Sequence, residues 1–196
     1  MEAKEQFRQA ALTNVIEVIS NIPESVRRDI YALSFWYDGD VDVARNAAIF
    51  VGYNTEQYYQ TQITKAPTPA QARWNFAFWP PNEYGTIGGC DNTFLQSWFQ
   101  STPWYFSEEE NDEADYDDDL TEEILEKSEQ LEKLFIEEII SLTQQLFAEG
   151  WIEKTFHRNI PILIHETAYY EKPISWTVRA NPPGLTDEFV QAFPLT

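Results

Sequence analysis

The acids of one short run are the side chains whose type and spacing most suggest chemistry. The run SEEENDEADYDDDLTEE covers residues 107–123, where eleven of seventeen residues are Asp or Glu and none is basic. Clustered carboxylates can coordinate a hard cation, attract a basic protein, or do no more than keep a loop solvated. The sequence leaves these alternatives open and predicts a flexible acidic loop over residues 107–119.

A calcium site in this run would follow the twelve-residue EF-hand pattern. If the loop began at Asp115, then Asp115, Asp117, Asp119 and Glu126 would occupy four expected ligand positions. The sixth position, however, is Leu120, where the sharp turn of such a loop needs glycine. Because tandem acids match the pattern easily by chance, we predict neither a metal site nor a cofactor.

Other groups with catalytic potential are sparse. Cys90 is the only cysteine, and His157 and His165 are the only histidines. A cysteine and a histidine can form a nucleophilic pair that meets only in the folded protein. Cys90, however, lies in EYGTIGGC, which we interpret as a turn, and His165 ends an apolar stretch predicted as a strand. We therefore predict no catalytic residues, and an enzyme is the less favoured class.

Composition limits the partners. The chain has 196 residues, 43% of them hydrophobic and 15% aromatic, which fits one domain over residues 1–196. Its formal net charge is −20, a sign that repels nucleic-acid phosphates and anionic lipids, so we predict no nucleic-acid or membrane partner. One cysteine and an amino-terminal stretch unlike a signal peptide favour a cytoplasmic location.

In the first half of the chain, periodicity predicts two helices around a hairpin. An amphipathic helix over 7–22 ends at Pro23. Residues 30–37 are apolar on both faces, which indicates an inner strand, and 47–51 should pair with it in antiparallel fashion. A helix over 55–64 should then begin at a capping box formed by Asn54 and Gln57.

In the second half, alternating aromatic residues predict a strand over 73–79, and Asp91 or Asn92 should cap a short helix. A long helix is predicted near 120–149, with Gly150 as its stop. Strands over 160–165 and 174–179 and a short terminal helix capped by Thr186 complete the order. The predicted fold class is α+β, with an approximately five-stranded, largely antiparallel sheet and helices packed mainly on one face.

Four stretches resemble a known family. DIYALSFWYDGD, GYNTEQYY, ARWNFAFWP and VRANPPGLTDEF are similar, in that order, to a bacterial domain-of-unknown-function family of short, acidic, single-domain proteins. The likeness covers most of the chain, but these motifs are structural landmarks and supply no active-site residues. In size and charge such families resemble the immunity proteins encoded beside polymorphic toxins, which implies an inhibitor that binds a toxin.

We therefore expect a cytoplasmic, immunity-type inhibitor that presents an acidic surface to a basic protein, such as a cognate toxin. Trp and Tyr are preferred interface anchors, so the aromatic residues just before the acidic run join the predicted site. The predicted partner-binding residues are Trp104, Tyr105, Glu108, Glu109, Glu110, Asp112, Asp115, Asp117, Asp118 and Asp119. The alternative is an enzyme or small-ligand-binding protein whose pocket is lined by residues 74–84, with a carboxylate or His165 acting in it.

Overall fold

A mixed four-stranded sheet organises the fold. The computed structural model describes residues 2–38, 41–81, 83–114 and 116–194, with the backbone alone for 41–43. The strands are β1 (Ile30–Tyr37), β2 (Ala48–Thr55), β3 (Gly85–Gly88) and β4 (Ile162–His165), in the spatial order β3-β2-β1-β4. Strand β2 is antiparallel to both β1 and β3, whereas β4 is parallel to β1. The α+β class is confirmed.

Ten α-helices and two short 3₁₀ helices, Val41–Asn46 and Phe76–Phe78, lie in the described part of the chain. The α-helices are α1 (Ala3–Asn21), α2 (Glu24–Arg27), α3 (Glu56–Gln62), α4 (Pro69–Trp74), α5 (Thr93–Gln100), α6 (Glu108–Ala114), α7 (Asp118–Ala148), α8 (Trp151–Phe156), α9 (Glu171–Ala180) and α10 (Asp187–Ala192). None of the described helices combines the length and the apolar composition that crossing a membrane requires.

The two longest helices confirm their predictions because their signals are local. Helix α1 buries a stripe at steps of four residues, from Phe7 to Ile19, and ends before Pro23. Helix α7 begins where Asp117 accepts hydrogen bonds from the next backbone N–H groups, and it ends before Gly150, whose φ is +74°. Both helices pack into the main core on one face of the sheet.

Strand β1 is an inner strand, as predicted, and its side chains alternate between two cores. Leu33 and Phe35 enter the main core, on the face covered by α1, α5 and α7. Ala32 enters a smaller cluster on the opposite face with Trp74 and Phe189. The larger helical layer therefore lies on one face, and α4 and α10 cover only part of the other.

Two predicted strands are wrong because each segment is helical. In the first, residues 73 and 74 end α4 and residues 76–78 form a 3₁₀ helix. The Thr68 hydroxyl caps α4 by accepting from the Gln71 nitrogen at 3.1 Å, and Pro69 occupies the first turn. Residues 174–179 lie within α9, where Trp176, Thr177 and Ala180 form one buried helical stripe.

Three further details differ from the predictions, and a fourth agrees with them. The fragment interpreted as a turn contains β3, so the sheet has four described strands and is mixed rather than largely antiparallel. Thr55, not Asn54, caps α3, because its hydroxyl accepts from the Tyr58 nitrogen at 3.1 Å. Asn54 is buried instead and donates to the Tyr31 hydroxyl at 2.8 Å. The cap of α5 is Asn92, one of the two predicted residues.

Candidate functional site

Much of the acidic run is helical rather than a loop. Helix α6 begins with reciprocal bonds between Ser107 and Glu110: the Ser107 hydroxyl accepts from the Glu110 nitrogen at 3.1 Å, and the Glu110 carboxylate accepts from the Ser107 nitrogen at 2.7 Å. These bonds hold the pKa of Glu110 below its usual value. Glu110, a predicted partner-binding residue, therefore caps its own helix.

The second helix of the acidic run is fixed in a similar way. Asp117 accepts hydrogen bonds from the backbone nitrogens of Asp119 at 3.0 Å and of Leu120 at 3.2 Å. The Thr121 hydroxyl donates to the Ala114 carbonyl, and Ala114 is buried between the two helices. This joins α6 to the start of α7, so Asp117 also has a structural role.

Apart from Glu123, which pairs with Lys127, the remaining described acids of the run are exposed, and we call them the acidic surface. On α6, the positions 109, 112 and 113 share one helical face. Among the described residues, few cations neutralise this group. Arg45 lies 3.7 Å from Glu108, and Lys127 pairs with the neighbouring Glu123 at 2.7 Å. The acidic surface consists of Glu108, Glu109, Asp112, Glu113, Asp118, Asp119 and Glu122.

The aromatic residues near this surface differ in their exposure. Trp104 and Tyr105, the predicted anchors, are partly buried and pack against the main core. Tyr116, between α6 and α7, is 92% exposed, and Leu125 on α7 is 45% exposed. Tyr116 is not among the predicted partner-binding residues. Its one signal in the sequence is an aromatic residue isolated among acids.

The structure argues against an EF-hand loop in the acidic run. Asp115 lies outside the described residues, but Asp118–Ala148 is a continuous helix, so positions four to twelve of that pattern are helical. An EF-hand needs most of these positions in a loop that wraps the ion. Within the described ranges, no group of three or more His, Cys, Asp or Glu side chains is placed to hold a metal ion.

A second region of interest is a pocket on the outer face of the sheet, opposite the main core. Its volume is about 330 Å³, and it is lined by Ser34, Trp36, Phe50, Phe76, Pro81 and Glu83. The Trp36 ring lies 5.2 Å from that of Phe50 and 5.8 Å from that of Phe76. Phe76, Pro81 and Glu83 belong to the segment 74–84, which lines the pocket in the alternative hypothesis of a small-ligand-binding protein.

Ser34 and His165 form a buried polar pair at this pocket. The Ser34 hydroxyl lies 2.8 Å from His165 Nε2, and His165 Nδ1 lies 2.7 Å from the Glu166 carbonyl oxygen. A carbonyl can only accept, so Nδ1 carries the proton and Ser34 donates to Nε2. Burial lowers the pKa of His165 to about 4, so the ring is neutral near pH 7.

This pair has the geometry of a nucleophile and its base, but the surroundings favour a structural role. His165 is completely buried with both nitrogens engaged, and Ser34 is almost completely buried. Strand β1 is hydrogen-bonded to neighbours on both edges, so the backbone N–H groups beside Ser34 serve the sheet and not an oxyanion. Cys90 is exposed, and His165 has no free nitrogen with which to activate it.

No protein-family model matches the sequence, and comparison with curated proteins and with solved structures finds no significant similarity. The resemblance described above therefore stays a prediction. The acidic surface and the pocket are the two candidate functional sites.

Proposed function

We propose that the protein binds a basic protein partner through the acidic surface. The observation that carries the proposal is the solvent-facing side of α6, where Glu109, Asp112 and Glu113 are exposed and, among the described residues, form no ion pair. The formal net charge of −20 extends the same field over the molecule. Such a field accelerates the encounter with a cationic partner by about 10- to 1,000-fold at low salt.

Electrostatic attraction brings partners together, but a long-lived complex also needs buried apolar contacts. Tyr116 meets this need, because its ring is 92% exposed and lies between the two acidic helices. Leu125, further along the chain in α7, is a second exposed apolar side chain. Burial of the tyrosine ring would slow dissociation, while the surrounding carboxylates would set the association rate.

The resemblance to immunity-type proteins gives this function its specific form. The partner would be a cationic toxin, and the protein would inhibit it by covering its basic surface. If that toxin acts on nucleic acid, the carboxylates of α6 would occupy the place of substrate phosphates, because both are anionic groups recognised by Arg and Lys. The ordered helix would present these groups at fixed spacing, which a flexible loop would not.

The experiment compares two triple variants that remove the same number of charges. Glu109→Gln, Asp112→Asn and Glu113→Gln neutralise the exposed side of α6. The control carries Glu17→Gln, Glu153→Gln and Glu171→Gln, which are exposed residues on other helices. Tagged protein is used to capture basic proteins from the native host at about 50 mM salt. Each captured protein is then purified, and its association and dissociation rates are measured against both variants.

We expect the α6 variant to slow association with the partner at least ten-fold and the control to change it less than three-fold. Tyr116→Ala should raise the dissociation rate with little change in association, because the ring is a contact and not a charge. Equal weakening by the two triple variants would show that only net charge matters. That result, or the absence of any specific basic partner, would overturn the proposal.

A further inference from the structure

The pocket on the outer face of the sheet combines aromatic walls with negative charge. Its volume of about 330 Å³ falls in the range of small-molecule sites, roughly 300–1,000 Å³. Trp36, Phe50 and Phe76 supply three partly exposed aromatic side chains, and the exposed Glu83 lies at the rim. None of the described residues that line the pocket is basic.

A second cavity of about 500 Å³ lies beside the first. The two cavities share Phe50, and the second is lined by two further carboxylates, Asp38 and Asp91. Thr86, which also lines the second cavity, donates from its hydroxyl to the Glu83 carboxylate at 3.2 Å. This bond holds the carboxylate between the two cavities. Again, no basic residue occurs among the described lining residues.

These features select among ligand charges. A cation over an aromatic face is attracted by the negative centre of the ring, and a nearby carboxylate adds to that attraction. An anion would meet the carboxylates without a compensating Lys or Arg. A neutral apolar ligand would gain from burial alone. The neutral Ser34–His165 pair at this pocket adds no positive charge to oppose a cation.

We infer that this pocket binds an organic cation, an ammonium group attached to an apolar or aromatic body. The ammonium group lies against the wall formed by the three aromatic side chains, in the pocket that Glu83 also lines. The site belongs to β1, β2, the 3₁₀ helix Phe76–Phe78 and the segment after it. It shares no residue with the acidic surface, so this inference stands independently of the proposed partner.

The first test uses three small probes with a common benzyl or phenyl body: benzyltrimethylammonium, benzyl alcohol and benzoate. Binding to the full-length protein is measured by calorimetry and by changes in protein NMR spectra at about 150 mM salt, which screens long-range attraction to the net charge. We expect the cation to bind at least five-fold more tightly than the alcohol, with benzoate weakest. Benzoate binding as tightly as the cation would overturn the inference.

The second test locates the site with matched variants. Glu83→Gln should weaken binding of benzyltrimethylammonium about three-fold, whereas Glu109→Gln removes the same charge from α6 and should leave it unchanged. Phe50→Leu keeps an apolar side chain but removes the ring, so cation affinity should fall about five-fold while benzyl alcohol changes less than two-fold.

Two outcomes of these variants would count against the pocket. Equal effects of Glu83→Gln and Glu109→Gln would show that the cation responds only to the overall charge of the protein. Unchanged affinity in both Glu83→Gln and Phe50→Leu would place the bound cation elsewhere. Either result would overturn the inference, and neither would bear on partner binding by the acidic surface. Glu83 is exposed, so its replacement leaves the fold intact.

Discussion

The buried imidazole of His165 should make the protein less stable as the pH falls from 8 to 5. Burial lowers its pKa to about 4 in the folded protein, whereas an unfolded chain titrates histidine near about 6.5. Between these two values the unfolded state binds a proton that the folded state does not. The stabilisation is therefore complete above the unfolded pKa and is lost as the pH falls toward the folded pKa.

The size of the effect follows from the difference between the two pKa values. A pH of 5 is about 1.5 units below the pKa of histidine in the unfolded chain, and each unit corresponds to about 1.36 kcal/mol. The free energy of unfolding should therefore be about 2 kcal/mol lower at pH 5 than at pH 8. Burial raises the pKa of the neighbouring Tyr169, so its hydroxyl stays neutral in this range. The carboxyls with lowered pKa, such as Glu56 and Glu110, add their own losses at lower pH, near about 4 and below.

The assay is urea denaturation of the wild type and of His165→Gln at constant ionic strength between pH 8 and pH 5. Glutamine keeps a polar group near Ser34 but does not titrate, so the free energy of unfolding of the wild type should fall by about 2 kcal/mol more than that of the variant. Ser34→Ala is the control: it removes one hydrogen bond and destabilises by about 1–2 kcal/mol, yet it retains the titrating ring. Parallel pH profiles for the wild type and His165→Gln would refute the reasoning.

Three further predictions concern stability, each measured by urea unfolding. Arg8→Met should destabilise by about 2 kcal/mol, because Arg8 lies 3.4 Å from the buried carboxylate of Glu138; no loss would contradict a role for this ion pair. Gly88→Ala should cost about 3 kcal/mol, since its φ is +85° and a Cβ would lie 2.3 Å from a backbone oxygen. Gly89→Ala, with positive φ but no such contact, should cost about 1 kcal/mol, and equal losses would exclude the close contact as the cause. Asp112→Asn should stabilise by about 0.5 kcal/mol, and destabilisation would show that this carboxylate has a structural role.

The sequence predicts elements whose signals are local and misses those that depend on distant partners. Helix α7 is recognisable from a long apolar stripe and a terminal glycine, both within the segment itself. Strand β4 pairs in parallel with β1, from a distant part of the chain, so no turn signal reveals its place in the sheet. Strand β3 has only four residues and ends in glycine, which a sequence pattern cannot separate from a turn.

The same distinction applies to the candidate sites. The acidic surface is recognisable because its charges are consecutive in the chain, although only the structure separates capping residues such as Glu110 and Asp117 from exposed ones. The contact between Ser34 and His165 joins residues 131 positions apart, which no motif indicates. For the pocket, the sequence indicates only the segment 74–84, and only as part of the alternative hypothesis, because the other walls come from β1 and β2.

The acidic residues of α6 and α7 differ in whether their charge favours the helix in which they lie. Asp118 and Asp119 lie in the first turn of α7, where negative charge interacts favourably with the amino-terminal end of the helix dipole. Asp112 and Glu113 lie in the last turn of α6, where the same charge is unfavourable, and Glu113 follows the like-charged Glu109 by four residues. Local conflicts of this kind occur in proteins mainly where function requires them. Under the proposed function, a cationic partner would contact the end of α6, beside the exposed Tyr116, because a bound Lys or Arg would relieve this repulsion.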